Sequence, residues 1–205
     1  MTMTTLTHRW PFNCRGALAP ALVAATILTV AVPPVGAWSK DDEGAPGGAT
    51  ETAILAGGCF WGMEDLLREL DGVLDTEVGY ATVKDDRKAT PAEAVRIVFD
   101  PTRISYEDLL RFFFRIHDPT TANRQGNDRG AQYRSSIFVL GESQRATAER
   151  VRADVDASGF WKSAVVTEIN PAGTFEEAAE HHQDYLEKNP GGYTCHWERG
   201  ESSAR

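Results

Sequence analysis

The sequence is short of cysteine. Only three occur in 205 residues, Cys14, Cys59 and Cys195, and no two stand as Cys-x-x-Cys. That excludes a thioredoxin-type dithiol motif and a cysteine-based zinc site. Basic charge is scarce as well, with 21 Lys and Arg against 30 Asp and Glu and a net charge of −9. No basic stripe carries interleaved aromatics, so nucleic acid is not an expected partner. Nowhere is there an uninterrupted apolar run of the roughly 20 residues that a membrane-spanning helix needs. The main apolar run, residues 16–32, is broken by Pro20 and stopped by Pro33-Pro34. A chain of 205 residues holds one domain with a sizeable core and not two large ones.

Acid is absent from residues 1–37, where Arg9 and Arg15 precede the apolar run and Val35-Gly36-Ala37 offers the small residues a signal peptidase reads. Residues 1–37 are therefore predicted to be a secretory signal peptide, cleaved before Trp38, with no stable membrane span left afterwards. The protein would be exported, in a bacterium to the periplasm. An uncleaved membrane anchor and an organelle-targeting peptide are the alternatives. Cys14 precedes the apolar run and leaves with the signal. Residues 38–50, rich in Gly, Asp and other small or polar residues, read as a flexible leader, and residues 51–205 as the single functional domain.

What is present is organised around Gly57-Gly58-Cys59-Phe60-Trp61-Gly62, between an apolar run at 52–56 and an amphipathic segment ending near Leu70. This reads as strand, glycine turn and helix, with a cysteine in the first turn. A thiol there faces unpaired N–H groups and the positive end of the helix dipole, which favour the thiolate. Cys59 is thus a candidate nucleophile. Phe60 and Trp61 are about 100° apart around a helix, so both cannot face the core and one is expected to line a site. A buried structural cysteine beside core aromatics is the plainer alternative.

Alternating or apolar runs at 52–56, 73–78, 94–99, 136–140 and 164–169 predict five strands. Helices are predicted over 105–116, with a Ser105/Asp108 cap, over 143–158, and over 174–188, where Thr174 and Glu177 have capping-box spacing. The order suits an α+β fold, a ferredoxin-like split βαβ core with additional helices and a C-terminal tail. Residues 118–134 form a long polar stretch, either disordered or functional. His181 and His182 are adjacent on the predicted helix, do not converge on one ligand, and are expected to bind no metal. Once the signal is removed only Cys59 and Cys195 remain. They form either a structural disulfide or a reactive thiol paired with a second cysteine on a mobile glycine-rich tail.

Gly57-Gly58-Cys59-Phe60-Trp61-Gly62 resembles the signature of the A-type peptide methionine sulfoxide reductases. The likeness continues in order through Gly79-Tyr80, Ala92-Glu93-Ala94-Val95, Tyr106, His117-Asp118-Pro119, residues 124–128, residues 132–135 and Lys188-Asn189-Pro190, over about residues 52–197. The resemblance implies reduction of methionine S-sulfoxide, free or in proteins. In that reaction Cys59 attacks the sulfoxide sulfur, Phe60 and Trp61 pack around the methyl group, and Glu93, kept protonated by burial, supplies a proton. Tyr80 and Tyr133 donate to the oxygen, and Asp128 orders the polar side of the site. Cys59 is left as a sulfenic acid that Cys195 resolves as a disulfide, and thioredoxin or a similar dithiol resets it. No bound cofactor or metal is implied. The chain departs from the family where residues 81–89 replace a longer glycine-rich loop and Pro91 stands where His is common. That leaves open how Glu93 is held.

Overall fold

The computed structural model describes residues 49–200. The predicted signal and residues 38–48 of the leader lie outside the described residues. The fold is α+β. Its sheet runs through β1 (Glu51–Gly57), β2 (Val73–Val83), β3 (Ala92–Phe99), β6 (Ser135–Val139) and β7 (Glu168–Glu177), and two-residue strands β4 (Arg124–Gln125) and β5 (Asp128–Arg129) form a separate hairpin. The helices are α1 (Phe60–Arg68), α2 (Tyr106–Ile116), α3 (Glu142–Ala157) and the short α4 (Tyr185–Lys188). No helix among the described residues is long and apolar enough to cross a membrane.

The strand order is β6-β1-β3-β2-β7, closed into a barrel by a parallel β6–β7 pairing. The other neighbours are antiparallel. Side chains alternate between two faces, as a period of two requires. Leu55, Val95, Ile97, Phe99 and Ile137 pack outward against the helices, with Met63, Leu67, Leu109, Leu110 and Phe113. Ile54, Ala56, Ala81, Ala92, Ala94 and Phe138 make a second cluster. A barrel of only five strands has a narrow interior. Alanines from three strands leave room there for Ile54 and Phe138, with Val83, Ala172 and Phe175 packed against them.

Helix α2 forms as its periodicity predicts. Ser105 Oγ accepts the Asp108 N–H, and Leu109, Leu110, Phe113 and Ile116 are fully buried. The helix predicted over 174–188 does not form. Residues 174–177 instead extend β7, which starts later than the strand predicted at 164–169, and pair with β2. Edge pairing to β2 outweighs the local capping-box spacing. Beyond it the chain makes a 3-10 turn at 180–182 and reaches α4 through Asp184, which has φ 55°. Buried Glu64 of α1 holds this strap by accepting the Asp184 N–H at 3.0 Å, and it also pairs with Arg68.

The predicted strand 73–78 runs on to Val83, and this extension places Tyr80 opposite Glu93 in the sheet. Gly79 sits at the β2–β7 seam, where a Cβ would collide with the Glu176 carbonyl oxygen and the Phe175 ring. Backbone cannot swing aside as a side chain can. Gly79→Ala is expected to lower stability by about 1–3 kcal/mol, the usual cost of overpacking, read as a lower urea midpoint with unchanged slope.

Candidate active site

The turn from β1 into α1 fixes the site. Gly58 has φ +112°, and a Cβ there would lie 2.5 Å from the Gln125 side chain, so only glycine lets the chain turn this tightly over buried Gln125. Cys59 is the N-cap residue of α1, 7% exposed. The first helical N–H, that of Phe60, would be unpaired in an isolated helix. It donates instead to Glu93 Oε2 at 3.3 Å, while Gln132 Nε2 donates to Oε1 at 3.2 Å. Glu93 is therefore held by the helix start and by the 3-10 turn at 131–133, and not by residues 81–91. It stands inside β3, where a sequence reading placed it just ahead of the strand. Alternation turns it toward α1, between the inward Ala92 and Ala94.

Burial pushes the Glu93 carboxyl above the ordinary range, against the opposing effect of the Phe60 and Gln132 hydrogen bonds. The expectation for Cys59 is reversed. Burial pushes its thiol up to about 12, and the Trp61 N–H offsets only part of this, while Glu93 and Asp128 add repulsion. The dipole of a nine-residue helix loses to desolvation, so the resting nucleophile is a neutral thiol.

Around this pair the structure gathers the other residues read from the sequence. Phe60 is buried, with its ring centroid 5.8 Å from Tyr80 and 6.4 Å from Trp61. Trp61, partly exposed, stacks on Tyr185 at 3.8 Å and donates from Nε1 to His182 Nδ1 at 3.2 Å. Trp61 is thus the aromatic left facing outward. The phenols of Tyr80 and Tyr133 are pushed up, first by burial and then by Glu93, so both remain donors at neutral pH. Asp128, on β5, accepts from the Tyr193 hydroxyl at 3.1 Å and from Cys195 Sγ at 3.4 Å.

Cys195 is a free, half-buried thiol, as Cys59 is a free buried one. Burial and then Asp128 push it up to about 11, while the Cys59 backbone N–H works the other way. The tail around it is docked, contrary to the mobile tail expected from its glycines. His196 Nε2 meets the Gly57 carbonyl at 2.8 Å, and the Arg199 N–H donates to the Arg115 carbonyl at 3.0 Å. The polar stretch 118–134 is likewise ordered, by Gln125 accepting the Asp118 N–H and by the β4–β5 hairpin. His182, Tyr185, Tyr193, Gln132 and His196 belong to the site and were not picked out by sequence reasoning. The local signals were the Gln183-Asp184-Tyr185 run after His182 and the motif run 132–135 that contains Gln132.

The profile of the family described as peptide methionine sulfoxide reductase matches residues 51–205. The chain belongs to that family. A peptide methionine sulfoxide reductase MsrA from Leifsonia xyli subsp. xyli is 62% identical over 156 residues, covering 73% of this chain and 92% of that one. The reduced form of Mxr1 from Saccharomyces cerevisiae superposes with a TM-score of 0.67 at 35% identity, over 74% of this chain and 93% of that one. A structure of the same yeast protein in complex with Trx2 gives a TM-score of 0.56 at 28% identity, over 78% and 97%. Among the described residues no group of three or more His, Cys, Asp or Glu is placed to hold a metal ion.

A raised thiol pKa makes a direct chemical prediction for this family member. At pH 7, iodoacetamide should modify Cys59 in the reduced, substrate-free protein on the order of a thousandfold more slowly than free cysteine, because its thiolate fraction is that much smaller. The rate should keep rising with pH beyond 9. A plateau below pH 7, followed by peptide mapping of the modified residue, would show a depressed thiol instead.

Proposed function

We propose that the protein reduces methionine S-sulfoxide, free or in proteins, to methionine and so repairs oxidative damage. The observation that carries this is the Phe60 N–H to Glu93 bond, which sets a buried carboxyl of raised pKa beside the Cys59 thiol under an aromatic wall. Reduction of a sulfoxide by a thiol needs those two groups together. The thiol supplies the electron pair that attacks sulfur, and the acid protonates the departing oxygen. Phe60 and Trp61 would take the methyl group and thioether, Tyr80 and Tyr133 would hold the oxygen, and Asp128 would order the polar rim.

Methionine then leaves and Cys59 remains as a sulfenic acid. Cys195 is the second thiol of the described residues and lies against the Cys59 backbone, which supports its role in forming the disulfide. The yeast relative's complex with Trx2 supports thioredoxin or a similar dithiol as the reductant. The four strands in order β6-β1-β3-β2, with α1 after the first and α2 after the third, support a ferredoxin-like split βαβ core to which β7 has been added. Export through the 1–37 signal rests on the absence of acid and the small residues before Trp38. A mature N-terminus at Trp38, by N-terminal sequencing of the expressed protein, is the expected result.

Turnover on separated S and R epimers of a blocked methionine sulfoxide, with dithiothreitol, tests the reading. Only the S epimer should disappear, Cys59→Ser should abolish the reaction, and Glu93→Gln should lower kcat by about 10²–10⁴, the range of a lost general acid. Because Glu93 acts protonated and its carboxyl is raised, the rate should fall as pH rises through its folded pKa. No consumption of either epimer by folded protein would overturn the assignment.

A further inference from the structure

The tail contains an imidazole for which the reaction above has no use. His196 is 5% exposed, which is unusual for a residue so near the end of the described chain. Its Nε2 lies 2.8 Å from the Gly57 carbonyl oxygen, which can only accept, so Nε2 carries the proton. In a neutral ring Nδ1 is then an acceptor, and it lies 3.6 Å from Cys195 Sγ, within reach of a thiol hydrogen bond. The position of the ring is set by the signature itself. A Cβ at Gly62 would collide with Thr194 Oγ1 and lie 2.8 Å from His196 Nδ1, and a Cβ at Gly58 would lie 3.3 Å from its Cε1. Two glycines flanking the nucleophile thus make room for an imidazole aimed at the other cysteine.

We propose that His196 is the general base for the resolving step, taking the thiol proton from Cys195 as its sulfur attacks Cys59. This rests on the reductase reading above. The Cys195 sulfur donates an electron pair to Cys59 Sγ, forming the S–S bond while the Cys59 S–O bond breaks. Oxygen leaves with its own hydrogen and collects the proton held on Nδ1, departing as water. Cys195 is oxidised, the sulfenic sulfur is reduced, and His196 ends neutral.

The need for a base is physical. Burial and the Asp128 carboxylate keep Cys195 protonated well above neutral pH, so free thiolate is scarce. Asp128 Oδ2, at 3.4 Å, is the competing acceptor, but it also receives the Tyr193 hydroxyl, and its charge opposes thiolate formation. His196 brings no such charge. Burial pushes its pKa down to about 4, with Arg199 acting in the same direction and Asp128 against it, and His117 is the other titratable ring in its field. The ring is neutral, and its Nδ1 is available, throughout the range in which the enzyme would work.

The test separates the two chemical steps. Reduced protein is mixed with S-sulfoxide and no dithiol. Methionine formed in the first turnover reports the Cys59 step, and loss of sulfenic acid trapped by dimedone reports disulfide formation. His196→Gln keeps a donor near the Nε2 position for Gly57 but removes the acceptor aimed at Cys195. It should release methionine as the wild type does and form the disulfide about a hundredfold more slowly at pH 7, with that rate rising about tenfold per pH unit. His196→Asn, whose amide oxygen can accept a hydrogen bond near the Nδ1 position but cannot take a proton, should resolve as slowly as His196→Gln, and recovery of the wild-type rate by it would overturn the base role.

Wild-type disulfide formation should be flat from pH 6 to 8, a measurement that needs no variant to fold. His196→Gln resolving at the wild-type rate, or a wild-type rate climbing tenfold per pH unit across that range, would overturn the proposal. A wild type that releases no methionine would instead sink the reductase reading on which it stands.

Discussion

Everything in this site hangs on one hydrogen bond, from the Phe60 N–H to the Glu93 carboxyl. A helix that starts at a glycine turn leaves its first amides without partners, and burying them uncompensated would cost free energy comparable to a lost hydrogen bond. Glu93 supplies the acceptor from the neighbouring sheet. To do so it must itself be buried, and burial raises its carboxyl above the ordinary range. The same contact therefore closes the helix start and holds the carboxyl beside the nucleophile, while burial, acting against the hydrogen bond, raises the carboxyl pKa. The surrounding architecture serves this contact. Antiparallel pairing places Tyr80 opposite Glu93, and the alternation that sends Ala92 and Ala94 to the other face leaves Glu93 under α1.

A buried thiol raised well above its ordinary range, beside a carboxyl that burial also raises, differs from the usual picture of an activated cysteine. Desolvation of Cys59 outweighs the helix N-terminus, so the free enzyme has no standing thiolate for passing oxidants or alkylating agents to reach. The same low-dielectric surroundings strengthen each donor aimed at a polarised sulfoxide oxygen. Burial raises the phenols of Tyr80 and Tyr133 as it raises the Glu93 carboxyl, so both phenols keep their protons at neutral pH. A thiol kept neutral in the free protein suits a protein proposed to work in an oxidising compartment.

Much of this was legible in the sequence where local chemistry decides it. The Gly-Cys-Phe-Trp turn, the Ser105 cap and the apolar face of α2 all rest on near neighbours in the chain. The errors arose where distant segments overrule local ones. Residues 174–188 carry a capping-box spacing and good helix formers, yet Phe175 and Glu176 pair with Ala81 and Tyr80 and become strand. The tail 191–196 is glycine-rich and reads as mobile, yet it is pinned by a hydrogen bond that spans 139 residues. His182 was read as an ordinary histidine because its partner, the Trp61 indole, lies 121 residues away. Single-sequence patterns contain no term for such contacts.

Exposure gives the two cysteines a division of labour. Cys59 is sealed beneath Gly58, Phe60 and the docked tail, whereas Cys195 is half-buried and flanked by exposed Tyr193 and Trp197. A macromolecular dithiol cannot bring its sulfur to the buried member without first displacing residues 194–196. In the proposed cycle it would reach the outer sulfur with the tail in place, so attack on Cys195 would be the geometrically open route. The anchors at Gly57 and Arg115 hold the tail in register, and that order is what the proposed cycle between one buried site and one outer thiol would require.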